Sequence, residues 1–149
     1  MIIYKNKDIF IDVFEKKLDV ILHGCNIYCT MGKGIAKTIK KYFPELYQLD
    51  KKTIAGDRSK LGTINYIFDP NSKTYIVNAY TQATYWDPKD MLSYEAVFSC
   101  LMEVRNTFGH LEYIGMPKIG AGLARGDWNR IEKIIIDVFG KKDVFVYSI

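Results

Sequence analysis

Apolar and polar positions alternate along the chain in segments of two different periods. Residues 1–5 and 8–14 (Asp8-Ile-Phe-Ile-Asp-Val-Phe14) carry β-branched and aromatic residues in rough alternation around the turn-like Asn6-Lys7, which predicts a hairpin of two short strands. Leu18–Leu22 is a compact apolar strand running into a Gly-rich stretch, His23 to Ala36. Ile35, Ala36, Ile39 and Phe43 then recur at helical spacing, with Lys37, Lys40 and Lys41 on the other faces, so an amphipathic helix is expected over roughly 33–42. Pro44 stops it and opens a second short helix running towards Ala55, which Gly56-Asp57 breaks.

Further on, 61–68 and 74–80 read as strands joined by Asp69-Pro70-Asn71-Ser72, a second hairpin. A loop over 81–90 carries Tyr85 and Trp86, aromatics placed equally well to line a ligand site or to cap the core. Ala96, Val97, Cys100, Leu101, Val104 and Phe108 form a helical stripe over roughly 91–107, ended near Gly109. After a short strand over 111–116 comes a second Gly-rich loop, Pro117 to Gly126, then a helix with Ile131, Ile134, Ile135 and Val138 on its apolar face. A final strand is expected at 143–147. Strand, Gly-rich loop and helix thus occur in that order at 18–42 and again at 111–138. In an open α/β sheet both loops would emerge at strand carboxyl ends, where backbone N–H groups and helix dipoles suit a ligand with two phosphates.

At 149 residues the chain has the length of one domain, 1–149, able to build its own core. An apolar fraction of 48% and a charged fraction of 26% are those of a globular protein. No apolar run approaches the roughly 18 residues that span a bilayer, so no membrane partner is expected. The N-terminal residues lack a signal-peptide pattern, which leads us to expect a cytoplasmic protein. Three cysteines, an odd number, fit a reducing compartment. With two histidines beside them and no second ligand pair at finger-like spacing, neither a metal site nor a cofactor is expected. The net charge of +4 is spread along the chain, and no interleaving of basic and aromatic residues marks a dedicated nucleic-acid reader. A monomer is expected. Neither loop is a Walker A sequence, since no Gly-Lys precedes Ser or Thr, so nucleoside triphosphate hydrolysis is not indicated.

Four motifs, His23-Gly-Cys-Asn26, Met31-Gly-Lys-Gly-Ile-Ala36, Asn78-Ala-Tyr-Thr-Gln82 and Pro117-Lys-Ile-Gly-Ala-Gly-Leu123 with Gly126-Asp-Trp128, resemble the macro domain family in order and spacing. The similarity is greatest to the single-domain branch containing ADP-ribose 1''-phosphate phosphatases, their bacteriophage relatives and terminal ADP-ribose glycohydrolases. The resemblance implies a three-layer α/β/α fold with a mixed sheet of about six strands and a cleft for ADP-ribose or a derivative. It assigns Asp8 and Ile9 to the adenine, with Tyr147 packing against it, and Asn26 to the distal ribose. Met31, Gly32, Lys33, Gly34 and Ile35 would border the ribose and diphosphate, while Ile119, Gly120, Ala121, Gly122 and Leu123 would wrap the phosphates.

The same resemblance bears on chemistry. Protein-directed glycohydrolases of this branch use a lysine on the strand matching 75–80 and an aspartate after the second loop. Here that strand has no lysine and the aspartate's place is Ala124. The phosphatase pattern has a His at His23 and an Asp at Asp127, so these are the candidate catalytic residues: Asp127 to orient or deprotonate a water, His23 to move a proton near neutral pH. Residue by residue, Asp127 is equally placed to be a helix N-cap and His23 to be a structural hydrogen-bonding group. The expected activity is removal of phosphate from ADP-ribose 1''-phosphate. The alternatives are a non-catalytic ADP-ribose reader, or a hydrolase freeing ADP-ribose from modified protein or nucleic acid.

Overall fold

The computed structural model describes residues 1–122 and 124–149. The chain runs β1 (Ile2–Asn6), α1 (Ile9–Phe14), β2 (Val20–Asn26), α2 (Gly34–Tyr42), α3 (Pro44–Lys51), β3 (Ile64–Asp69), β4 (Thr74–Gln82), α4 (Tyr94–Phe108), β5 (Ile114–Pro117), α5 (Trp128–Phe139) and β6 (Val144–Ser148). The strands form one mixed six-stranded sheet in the order β1-β6-β5-β2-β4-β3. All neighbours are parallel except the β3–β4 hairpin at one edge.

Helices cover both faces. Val20, Leu22, Val77, Ala79, Met116 and Val146 point to one side, where Val97, Leu101 and Val104 of α4 and Ile131, Ile135 and Val138 of α5 seal them. Ile21, Ile76 and Tyr147 point to the other, against Ile9, Phe10 and Val13 of α1, Ile39 of α2 and Leu46 of α3. This two-sided burial is why β2 and β4 read as nearly continuous apolar runs. The three-layer α/β/α expectation holds. Among the described residues no helix is long and apolar enough to cross a membrane.

The N-terminal hairpin does not form. Residues 9–14 are a helix, because Asp8 caps it by accepting the Phe10 N–H at 3.0 Å. Ile9, Phe10 and Val13 then bury on one side. In seven residues the two periods give nearly the same apolar set, and tertiary packing decides between them. β1 instead pairs in parallel with the last strand, Ile2 opposite Val144 and Tyr4 opposite Val146. β2 continues to Asn26, four residues past its expected end, because β4 beside it continues to Gln82 and supplies partners up to that point. β5 starts at Ile114 rather than at 111, and α4 starts at Tyr94, where the Ser93 hydroxyl accepts the Ala96 N–H.

Leu101 is fully buried between α4 and the sheet. Leu101→Ala is expected to lower the unfolding free energy by about 2–5 kcal/mol in urea titrations. A loss under about 1 kcal/mol would show that this face is not close-packed.

Candidate functional site

The carboxyl ends of β2, β4 and β5 open into a cleft of about 650 Å³. Its floor is Gly24, Cys25, Asn26 and Gln82; one wall is Thr30 to Ala36, and the other is Pro117 to Gly120 with Gly122, Ala124 and Arg125. A smaller cavity of about 350 Å³ adjoins it, lined by Asp8, Ile9 and Tyr147 among others. Ile35 and Pro117 line both and form the waist between them.

Local sequence explains the walls. Met31 takes a positive φ of 42°, which an L side chain seldom adopts, and its buried side chain joins the α1–α3 core cluster, where packing holds it. This turn delivers the chain to α2, whose cap residue Lys33 makes no side-chain capping bond. The first N–H groups of α2 are thus left to a ligand at the dipole's positive end. In the second wall Gly120 has φ 74°, and a Cβ there would come within 2.8 Å of Leu92. The Gly126 N–H donates to the Gly120 carbonyl at 2.6 Å and closes the loop on itself.

Behind the smaller cavity the buried Asp12 pairs with the half-buried Lys5 and Lys7. Burial alone would raise the pKa of Asp12, but hydrogen bonds from Lys7 and Tyr147 and the charges of Lys5 and Lys7 outweigh it and hold the carboxyl down to about 2. Tyr147 donates to it at 2.5 Å and Lys7 at 2.6 Å, so the tyrosine ring stands fixed as a cavity wall.

Most residues expected at the site meet there. Asn26, Met31, Gly32, Lys33, Gly34, Ile35, Ile119, Gly120 and Gly122 line the cleft. Asp8, Ile9 and Tyr147 line the smaller cavity. Asn26 is held by two local bonds, accepting the Tyr28 N–H and donating to Thr30 Oγ1, both at 2.8 Å. Ala121, whose N–H donates to the Lys118 carbonyl, is half-buried and lines neither cavity. Leu123 lies outside the described residues.

The two candidate catalytic side chains are not in the cleft. His23 lies inside β2, fully buried, with Nε2 at 2.6 Å from Asn78 Oδ1. Burial depresses its pKa to about 4, against a hydrogen bond to Asn78 that acts to raise it, so at neutral pH it is uncharged. A ring sealed in the sheet has no path for exchanging a proton with a ligand, which corrects the catalytic role expected of it. Asp127 caps α5, accepting the Asn129 N–H at 3.0 Å, and does not line the cleft.

Gln82 and Arg125 were not singled out from the sequence but do line the cleft, and so does Tyr85, one of the two loop aromatics expected either there or over the core. Gln82 ends the Asn78–Gln82 motif, and its position at a strand's carboxyl end was the available signal. Exposed Tyr85 and Trp86 pack with Tyr28 into one cluster, with ring centroids 4.8–6.2 Å apart. Among the described residues no cluster of acidic, His and Cys side chains is arranged to hold a metal.

The family description "Macro domain" matches residues 22–135. An uncharacterized 17.5 kDa protein of Enterobacteria phage T4 is 36% identical, over 85% of this chain and 83% of its own length. A Mycobacterium tuberculosis protein named DNA ADP-ribosyl glycohydrolase is 21% identical over 86% of this chain, which spans 37% of that protein's length. Among solved structures, the macrodomain of Mycobacterium tuberculosis DarG aligns with a TM-score of 0.79 at 19% identity, covering 100% of this chain and 98% of that one.

The buried neutral histidine makes stability depend on pH with a definite sign. The unfolded chain takes up a proton near pH 6.5, while the folded protein does so only near pH 4. Between these values the unfolded state holds more protons, so acidification destabilises the fold. The His23 contribution approaches about 3 kcal/mol at the acid end of this window. Urea titrations across pH 4–7 should show a steeper fall for the wild type than for His23→Gln. Parallel profiles would mean that His23 titrates in the folded protein as it does in the unfolded chain.

Proposed function

The chain belongs to the macro domain family, and from that premise we propose that it is a hydrolase that binds ADP-ribose and removes the phosphate from ADP-ribose 1''-phosphate. The smaller cavity takes the adenine, with Asp8 accepting from the exocyclic amine. The diphosphate crosses the Ile35–Pro117 waist between the two Gly-rich walls, and the distal ribose lies over Asn26.

The charge of the cleft carries the choice of leaving group. Lys33, Lys118 and Arg125 line it, and no carboxylate does among the described residues. A further dianionic phosphate at C1'' suits such a lining, because a carboxylate there would repel it while a guanidinium and amide donors can hold its oxygens. Catalysis of phosphoryl transfer rests mainly on positioning and charge stabilisation, for which these groups suffice. The oxygen at C1'' belongs to a hemiacetal, so it carries developing negative charge better than an ordinary sugar alkoxide does. Asp127 is assigned to capping α5.

A second reading, release of ADP-ribose from nucleic acid, is favoured by the exposed Tyr85–Trp86–Tyr28 cluster beside Gln82. Bases stack on such aromatic platforms, and the mycobacterial relative's name points the same way.

Incubating the protein with ADP-ribose 1''-phosphate, ADP-ribosylated DNA and ADP-ribosylated protein, with phosphate and ADP-ribose release followed beside calorimetry, tests both. Phosphate release from the first substrate is expected. ADP-ribose release from DNA alone would establish the second reading, and binding without release would leave a reader module. Arg125→Ala should raise KM for ADP-ribose 1''-phosphate about tenfold or more, through loss of a charged contact. Asp127→Ala should cost about 0.5–2 kcal/mol of stability with kcat retained; loss of kcat in a folded variant would make Asp127 catalytic after all.

A further inference from the structure

The outer face of α2 gathers positive charge. At about 100° per residue, Ile35 and Ile39 turn towards the sheet, and Lys37, Lys40 and Lys41 fall on the opposite side of the helix. Lys33 caps the same helix and lines the cleft, so the row of lysines starts at the cleft's rim. Among the described residues none of the four pairs with a carboxylate. The chain has no acidic residue between Asp19 and Glu45.

Packing of α3 beside α2 adds aromatic rings to this charge. Tyr47 of α3 is half-buried, and its ring has an ammonium from each helix near it: Lys40 Nζ lies 4.1 Å and Lys51 Nζ 5.4 Å from the ring centroid. At the end of α2, Lys41 Nζ lies 5.8 Å from the ring centroid of exposed Tyr42. That ring meets exposed Phe14 of α1 edge-on, with centroids 5.1 Å apart. Basic and aromatic side chains therefore interleave across the face, although no single segment of the sequence shows the pattern. Like charges gathered on one face repel one another and add nothing to the core, so the arrangement is unfavourable for folding alone.

We propose that this α2–α3 face binds single-stranded nucleic acid, with Lys37, Lys40, Lys41 and Lys51 on the phosphates and Tyr42 as a stacking platform for a base. Lysines meet backbone phosphates without regard to sequence, and an exposed ring accepts any base of an unpaired strand. A duplex keeps its bases stacked on one another and would leave Tyr42 unused. A membrane suits this face less, because the apolar side of α2 is committed to the core and cannot enter a bilayer. The surface lies outside the cleft and does not depend on the leaving group assigned above.

Fluorescence anisotropy with a labelled single-stranded DNA of about 12 nucleotides, without ADP-ribose, tests the surface. The wild type should bind at low salt, with log K falling linearly as log salt concentration rises. Lys37→Gln/Lys40→Gln/Lys41→Gln should weaken binding about tenfold or more and make that slope shallower by about 2, at about 0.7 for each lost phosphate contact. Tyr42→Leu should weaken it about fivefold. Lys133→Gln/Lys141→Gln removes exposed charges from α5 and the residues after it, on the other side of the sheet. It should stay within about twofold of the wild type, because charges farther off than a Debye length are screened. Thermal unfolding checks that each variant is folded. No DNA binding by the wild type, unchanged affinity in the triple variant, or an equal loss in Lys133→Gln/Lys141→Gln would overturn the proposal, as would binding to phosphatidylserine-containing vesicles in preference to DNA. Unchanged affinity in Tyr42→Leu would overturn the assignment to a single strand. ADP-ribose is absent from the measurement, so failure of the activity proposed above would leave its outcome untouched.

Discussion

The parallel pairing of β2 with β4 is the constraint on which the site depends, and a buried chain of polar side chains fixes its register. His23 Nε2 lies 2.6 Å from Asn78 Oδ1, Asn78 donates to Asn65 Oδ1 at 2.9 Å, Asn65 donates to the Tyr80 hydroxyl at 3.1 Å, and Tyr80 donates to Asp50 Oδ1 at 2.6 Å. This chain ties β2, β4, β3 and α3 together at one level of the sheet. A slip of one residue would turn its members into the apolar layer on the opposite face and leave them unpaired. Burial has its price here, pushing the Asp50 carboxyl and the Tyr80 hydroxyl above their ordinary pKa values. Because the register is held, Asn26 stands opposite Gln82 and Gly24 opposite Ala79.

From that register the cleft follows. β5 pairs with β2 on its other side, so the loops leaving β2 and β5 emerge next to each other and face one crevice. Both loops turn through residues with positive φ that are not glycine: Cys29 and Met31 in the first and Arg125 in the second. Met31 is anchored by the core, whereas Arg125 is exposed, its N–H donating to the Gly122 carbonyl at 3.0 Å. Both loops are thus tied by packing and by hydrogen bonds: Asn26 bonds Tyr28 and Thr30 in the first, and buried Ile119 and Ala124 anchor the second. Lys33, Lys118 and Arg125 line the cleft between them, which suits an anionic ligand.

How far the site was legible in the sequence differs from residue to residue. The glycine loops announced themselves, because close approach of the backbone to a ligand requires glycine and leaves a visible pattern. Gln82 did not: a polar residue at the end of an apolar strand is common, and only the strand beside it shows that it reaches the cleft. His23 was misread for the opposite reason. Histidine beside a Gly-rich segment suggests a catalytic group, but β2 runs three residues past it and carries its ring into the sheet, where Asn78 receives it.

The sequence by itself determined the class of fold, the two strand, loop and helix units, the apolar faces of α4 and α5, and the presence of an anion-binding site. Local periodicity and glycine placement are written in neighbouring residues, so these features need no partner to be read. Only the tertiary structure decided that residues 9–14 are a helix, that β1 pairs with β6, and that His23 belongs to the core while Gln82 lines the cleft. Each of those depends on contacts between segments far apart in the chain: Tyr147 with Asp12, Val144 with Ile2, Asn78 with His23, and Gln82 with Asn26. A single strand's pattern records that a side chain is buried or exposed; what it is buried against is set by the strand beside it.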